Sequence, residues 1–212
     1  MDPLLLLAYF TLPAAITLIA FAALKLHERS APPGEDVSPS ESEQHEQVVK
    51  APINNGARLG TLNHSEDAIA VYDDVVARYD TAGDPGLREP VARALVNKGY
   101  TLSMLNRNAE AIAVYDEVVA RFGTAGDPGL RRPVATALVN KGFTLGTLNR
   151  SAEAIAVYDE VVARFGTAGD PGLRELVARA LADKGFTLGT LNRSAEAIAV
   201  YDEVVAHFGA TG

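Results

Sequence analysis

Between residues 130 and 149 the apolar positions Val134, Ala137, Leu138, Leu145 and Leu148 fall on one face at helical spacing. Asn149 follows, a residue that tolerates the left-handed conformation ending a helix. A second stripe then begins, with Ala154, Tyr158, Val161 and Phe165 at i, i+4, i+7 and i+11, and with Ile155 and Val162 beside it. Pro133 fits the first turn of the first helix, where its missing N–H costs nothing. Ser151 is placed to cap the second helix by accepting a backbone N–H. Gly166 ends it, and residues 167–172 are expected to turn into the next segment. The pattern predicts a pair of helices joined by a short turn.

The pair is not unique. Asp84-Pro85-Gly86-Leu87-Arg88 returns as Asp127-Pro128-Gly129-Leu130-Arg131 and as Asp170-Pro171-Gly172-Leu173-Arg174, each step 43 residues long. Residues 127–169 and 170–212 are identical at 35 of 43 positions. Gly56, Gly99, Gly142 and Gly185 share the phase, as do Ala68, Ala111, Ala154 and Ala197. Repetition at this length implies a stacked array in which each unit buries its apolar face against the next. The expected fold is therefore all-α, an α-solenoid over residues 51–212, with units of approximately 51–83, 84–126, 127–169 and 170–212.

The residues match a known pattern. The tetratricopeptide repeat reads W-x2-L-G-x2-Y, then A-x3-F, then P. Here the same spacing reads Leu138-x2-Lys141-Gly142-x2-Leu145, then Ala154-x3-Tyr158, then Gly166. The sequence resembles that family, with departures at each large residue of the signature and a period longer than the usual 34 or so. HEAT and armadillo arrays, at about 40–47, match the period better. The glycine-to-alanine spacing and the tight asparagine turn favour tetratricopeptide-like units.

The resemblance implies a function. In that family the first helices line a groove that receives an extended peptide or a partner helix. The matching face here runs through Arg93, Asn97, Tyr100 and Met104, then Thr136, Asn140, Phe143 and Thr147, then Arg179, Asp183, Phe186 and Thr190. Asn97 and Asn140 carry both donor and acceptor for a peptide backbone. The basic clamp of chaperone-binding members is missing, because Val96, Val139 and Ala182 stand where it would place a basic residue. The partner is thus expected to be a protein or peptide of another kind.

Outside the repeats, Pro3 to Leu24 is a run of 22 residues without a charge. As a helix it spans roughly 33 Å, against about 30 Å of hydrocarbon. Residues 1–26 are expected to form a single transmembrane anchor. A cleaved signal peptide, and hence a secreted protein, is the rival reading, since Ala20-Phe21-Ala22 resembles a cleavage site. The start Met1-Asp2-Pro3 lacks the basic region of such a signal. Lys25 and Arg29 after the span place the repeat domain in the cytoplasm. Residues 27–50, rich in Ser, Pro, Glu and Gln, are read as a disordered acidic linker, with Arg29 against six acids in 27–49.

Charge and composition narrow the chemistry. The chain has a formal net charge of −8 and no cysteine, which disfavours nucleic acid and removes disulfides and thiolate chemistry. No phosphate loop, nucleophile motif or metal-ligand spacing is present, so no cofactor, metal or catalysis is expected. Asp116-Glu117, Asp159-Glu160 and Asp202-Glu203 recur in one register, as a solvated outer face does. Asn149-Arg150-Ser151 and its copies match a glycosylation sequon, but turning the chain explains Asn149 better.

Solenoids normally finish with a unit whose outer face is polar. The last unit here keeps the interior set, including Ile198 and Val205, and a homodimer through that end is the structural alternative to partner binding. Full-length protein is expected to stay with the membrane after carbonate washing. A mature chain starting near Ala23 would instead establish secretion.

Overall fold

In the computed structural model the described residues are 41–208 apart from 63, 80–83 and 125, with side chains described between 48 and 206. The expected anchor (1–26) and residues 27–40 of the expected linker lie outside them. Among the described residues no helix is long and apolar enough to cross a membrane.

The described chain forms four helical hairpins. They are α1 (Glu41–Thr61) with α2 (Ser65–Tyr79), α3 (Arg88–Met104) with α4 (Asn108–Phe122), α5 (Pro128–Thr147) with α6 (Ser151–Phe165), and α7 (Pro171–Thr190) with α8 (Ser194–Phe208). A 3-10 turn, Pro85–Leu87, leads into α3. Each second helix packs on its own first helix, and those of the first three units pack also on the first helix of the following unit. First helices also pack on one another, α1 on α3, α3 on α5 and α5 on α7. One core runs through units two to four, and a smaller cluster around Val49, Ile53 and Tyr72 holds the first.

The glycine shared by all units explains how closely the hairpins close. A Cβ built on Gly142 would lie 2.5 Å from Cε1 of Tyr158, and the same overlap recurs between Gly56 and Tyr72, Gly99 and Tyr115, and Gly185 and Tyr201. The tyrosine ring thus rests on bare first-helix backbone. The alanine four residues before each tyrosine is buried in every unit.

The asparagine turn is as the sequence predicts. Asn106, Asn149 and Asn192 have φ of 59°, 57° and 60°. At Asn149 the Arg150 N–H reaches back to the Leu145 carbonyl at 2.9 Å, while the Asn149 N–H bonds the Gly146 carbonyl at 3.0 Å. This pairing satisfies two carbonyls the helix would leave open.

The helix starts differ from the expectations. Asp-Pro-Gly does not end the turn between units; it opens the helix. The Asp127 carboxylate accepts the Gly129 N–H at 2.8 Å with Pro128 at the first position, and Asp170 caps α7 through the Leu173 N–H at 2.8 Å. Pro133 is consequently the sixth residue of α5, buried, rather than in its first turn. Ser151 is not a cap either. It is the first residue of α6, and Arg150, the N-cap, makes no side-chain cap bond. Arg150 instead clasps the Glu153 carboxylate at 2.7 and 2.6 Å.

The linker boundary also moves. Residues 41–50 belong to α1 rather than to a disordered linker, and Val49 is fully buried. The acidic composition of this stretch hid Val49, which lies one helical turn before Ile53 and packs with it in the first unit's core. The first unit therefore begins ten residues earlier than expected, near residue 41.

Ion pairs join the units. Lys98, Lys141 and Lys184 each reach an aspartate of the preceding second helix, Asp73, Asp116 and Asp159, at 2.5 Å. Pairs as exposed as these contribute about 0–1 kcal/mol, so they set register more than stability.

Two alanine substitutions on one helix separate the close contact from helix propensity. Gly142→Ala is expected to lower unfolding free energy by about 1–3 kcal/mol, as overpacking does. Gly146→Ala, where nothing lies within 4 Å of the new Cβ, is expected to raise it by about 0.5–1 kcal/mol. Urea denaturation followed by circular dichroism checks both; equal effects would discount the tyrosine contact.

Candidate binding groove

The predicted row projects from α3, α5 and α7 at equivalent register. Its large members are open to solvent: Tyr100 is 55%, Met104 65%, Phe143 52% and Phe186 68% exposed. Thr147, Arg179 and Thr190 are exposed as well, whereas Arg93, Asn97, Thr136, Asn140 and Asp183 are half-buried. The row is an accessible aromatic strip with a partly covered polar floor.

Three cavities lie along it. The largest, about 660 Å³, is bounded by Ala57, Tyr72, Asn97, Tyr100, Met104 and Leu105 between the first two units. A second, about 510 Å³, lies between Arg93, Asn97, Arg132 and Thr136. The third, about 250 Å³, is walled by Phe143, Thr147, Tyr158, Asp183, Phe186 and Thr190. Ten of the twelve predicted residues line one of these cavities; Asn140 and Arg179 do not.

Some contributors were missed from sequence. Tyr72 and Tyr158 belong to second helices, yet both reach the cavities. Gly60 and Gly146 leave the space open, with nothing within 4 Å of where a side chain would begin. The A-x3-Y spacing marks the tyrosines in the sequence, but it does not distinguish a core position from a cavity wall.

The polar floor is coupled to the tyrosines. Burial pushes the Tyr72 hydroxyl up, opposed by a hydrogen bond from Asn97. Burial likewise raises Tyr115, opposed by the nearby Arg179 and Asn140. In the third interface the floor residue is a carboxylate. Burial raises the Asp183 carboxyl above its ordinary range, opposed by Arg179 at 3.8 Å, and its Oδ2 accepts no hydrogen bond. The Asp183 charge raises Tyr158 in turn, after burial.

The repeated acidic pairs face elsewhere. Asp116 and Asp159 hold the lysines of the next unit, and Glu117 and Glu160 pair with Arg121 and Arg164 on their own helices at 2.6 and 2.8 Å. They are structural partners as well as a solvated face. Ile198 and Val205 stand on α8, at 60% and 69% exposure, apart from the groove.

Comparison with known families agrees with this geometry. Tetratricopeptide repeat models match residues 56–127 and 135–164. The chain is a tetratricopeptide repeat protein, and its repeats are of a kind that serves as a protein–protein interaction scaffold. No curated protein matches the sequence.

The raised Asp183 carboxyl carries a pH signature. Its folded-state pKa lies above the unfolded value, so the stability it contributes is present at low pH and lost as pH rises through the folded value. Asp183→Asn, which restores the residue of the two preceding units, is expected to stabilise the protein at pH 7. The gain should vanish below about pH 4, the ordinary aspartate range. Chemical denaturation at both pH values checks this; a loss of stability at pH 7 would contradict it.

Proposed function

We propose that the array is a membrane-anchored scaffold that receives an extended peptide or partner helix along the face of its first helices. Residues 3–24 supply the anchor, and Lys25 and Arg29 favour a cytoplasmic repeat domain. The observation that carries the reading is the strip of Tyr100, Phe143 and Phe186. Each is more than half exposed, and each recurs 43 residues after the last. Large apolar side chains aligned on an accessible face mark interaction surfaces. Aromatic residues are also over-represented among those that dominate binding energy.

The strip suits a ligand laid across units. Apolar side chains of the ligand would enter the cavities between neighbouring aromatics. Asn97 and Asn140 offer donors and acceptors at the floor, although their partial burial means that they also serve the tyrosines beneath. Arg93 and Arg179 each lie near an acid on their own helix, Glu89 at 3.6 Å and Asp183 at 3.8 Å. The face therefore has no strong single-sign charge, and ligand selection rests on apolar shape.

Photo-crosslinking residues placed at 100, 143 and 186 in membranes are expected to capture a common protein. The same residue at Ala113 or Ala156, exposed on second helices, should not. Replacing the three aromatics with alanine should abolish capture while costing less than about 1 kcal/mol each in stability. Equal crosslinking from both faces would discard the groove.

A further inference from the structure

The last hairpin exposes a surface that every other hairpin covers. Tyr158 on α6 is 2% exposed, but its counterpart Tyr201 on α8 is 42% exposed. Ile155 and Val162 are partly buried against the core, whereas Ile198 and Val205 stand open. On α7 the same holds, since Val139 of α5 is buried and Ala182 is exposed. The open surface thus lies on both helices of the last hairpin, where a further first helix would pack in register.

The interior interfaces show what such a surface accepts. Three first helices pack on a preceding second helix, and each presents Leu-x3-Val-x3-Leu-x2-Lys-x3-Leu, its first leucine in α3 standing just before the helix at Leu87. In α7 these are Leu173, Val177, Leu181, Lys184 and Leu188, with the four apolar residues at most 3% exposed. The lysine is read by the aspartate after the tyrosine, as Lys184 is by Asp159 at 2.5 Å. On α8 that aspartate is Asp202, exposed and without an ion pair among the described residues. The arginine that balances Glu117 and Glu160 is replaced at the equivalent place by His207. Residues 194–208 hold three acids and no lysine or arginine.

We propose that the α7–α8 face docks an amphipathic helix of another protein built on that interior pattern, with a basic residue set against Asp202. Charge decides between this occupant and a second copy. Two α8 faces meeting on a two-fold axis would bring together two segments that each hold three acids and no lysine or arginine, which is unfavourable in an apolar contact. A head-to-tail contact with α1 keeps Val48 and Leu59 but lacks the rest of the complement, because Gln44 and Pro52 replace two of the leucines and Asn55 replaces the lysine. The surface is separate from the groove, so the two sites stand or fall independently.

A synthetic peptide with the sequence of residues 170–191 is the probe, since it carries the interior pattern. Full-length protein in detergent micelles is expected to bind it at one to one in the micromolar range by fluorescence anisotropy. The variant carrying Ile198→Glu and Val205→Glu should bind at least tenfold more weakly. A peptide with Lys184→Glu should also bind more weakly, and Asp202→Lys in the protein should restore it. Restoration excludes loss of folding as the cause. Absence of binding, equal binding by the double-glutamate variant, or failure of the charge exchange would overturn the proposal. Dimers of the full chain that dissociate in the double-glutamate variant would assign the face to a second copy instead.

Discussion

In every unit a tyrosine ring lies against the first helix at a position where that helix has no side chain. The contact between Gly142 and Tyr158, and its three copies, leaves no room for even a methyl group. A large ring buried on bare backbone supplies much apolar area from one residue, and it brings the two helix axes close together. The neighbouring alanine is small for the same reason. The remaining geometry follows from this closeness, because the angle at which a hairpin closes determines which first-helix positions face the neighbour and which remain open.

Stacking then transfers the geometry along the chain. Each first helix sits on the preceding second helix, with a lysine held by that helix's aspartate and an asparagine or aspartate over its tyrosine hydroxyl. These are nearest-neighbour interactions, so the array behaves as a chain of similar interfaces, as repeat proteins do. The lysine that departs from the family signature is accounted for here. It serves the interface between units rather than the interior of its own unit.

The groove is a by-product of the same arrangement. Once the tyrosine-facing and neighbour-facing sides of each first helix are assigned, the remaining side carries Tyr100, Phe143 and Phe186 into solvent. Small residues such as Gly60 and Gly146 keep the space beside them open. Part of the variation between units falls on this side and its floor, as in the change from Asn97 and Asn140 to Asp183. The glycine, alanine and tyrosine of the hairpin contact are the same in all four units, so the frame is held constant while the face differs.

The sequence alone determined the helical hairpins, their 43-residue phase, the asparagine turns and the face on which the aromatic row lies. These follow from periodicity and from single-residue backbone preferences, which act locally. Tertiary structure decided what depended on a distant partner. Val49 belongs to the fold because Ile53, Tyr72 and their neighbours bury it, although the composition before it is that of a linker. The Asp-Pro-Gly helix start is by contrast local, since the aspartate accepts a backbone N–H two or three residues ahead, and the sequence already carried it. Lys141 and Asp116 lie 25 residues apart, and no local pattern pairs them. The exposure of Tyr201 beside the burial of Tyr158 was likewise undecided by sequence, because the two segments, alike but for Arg164 and His207, differ chiefly in whether a following helix packs upon them.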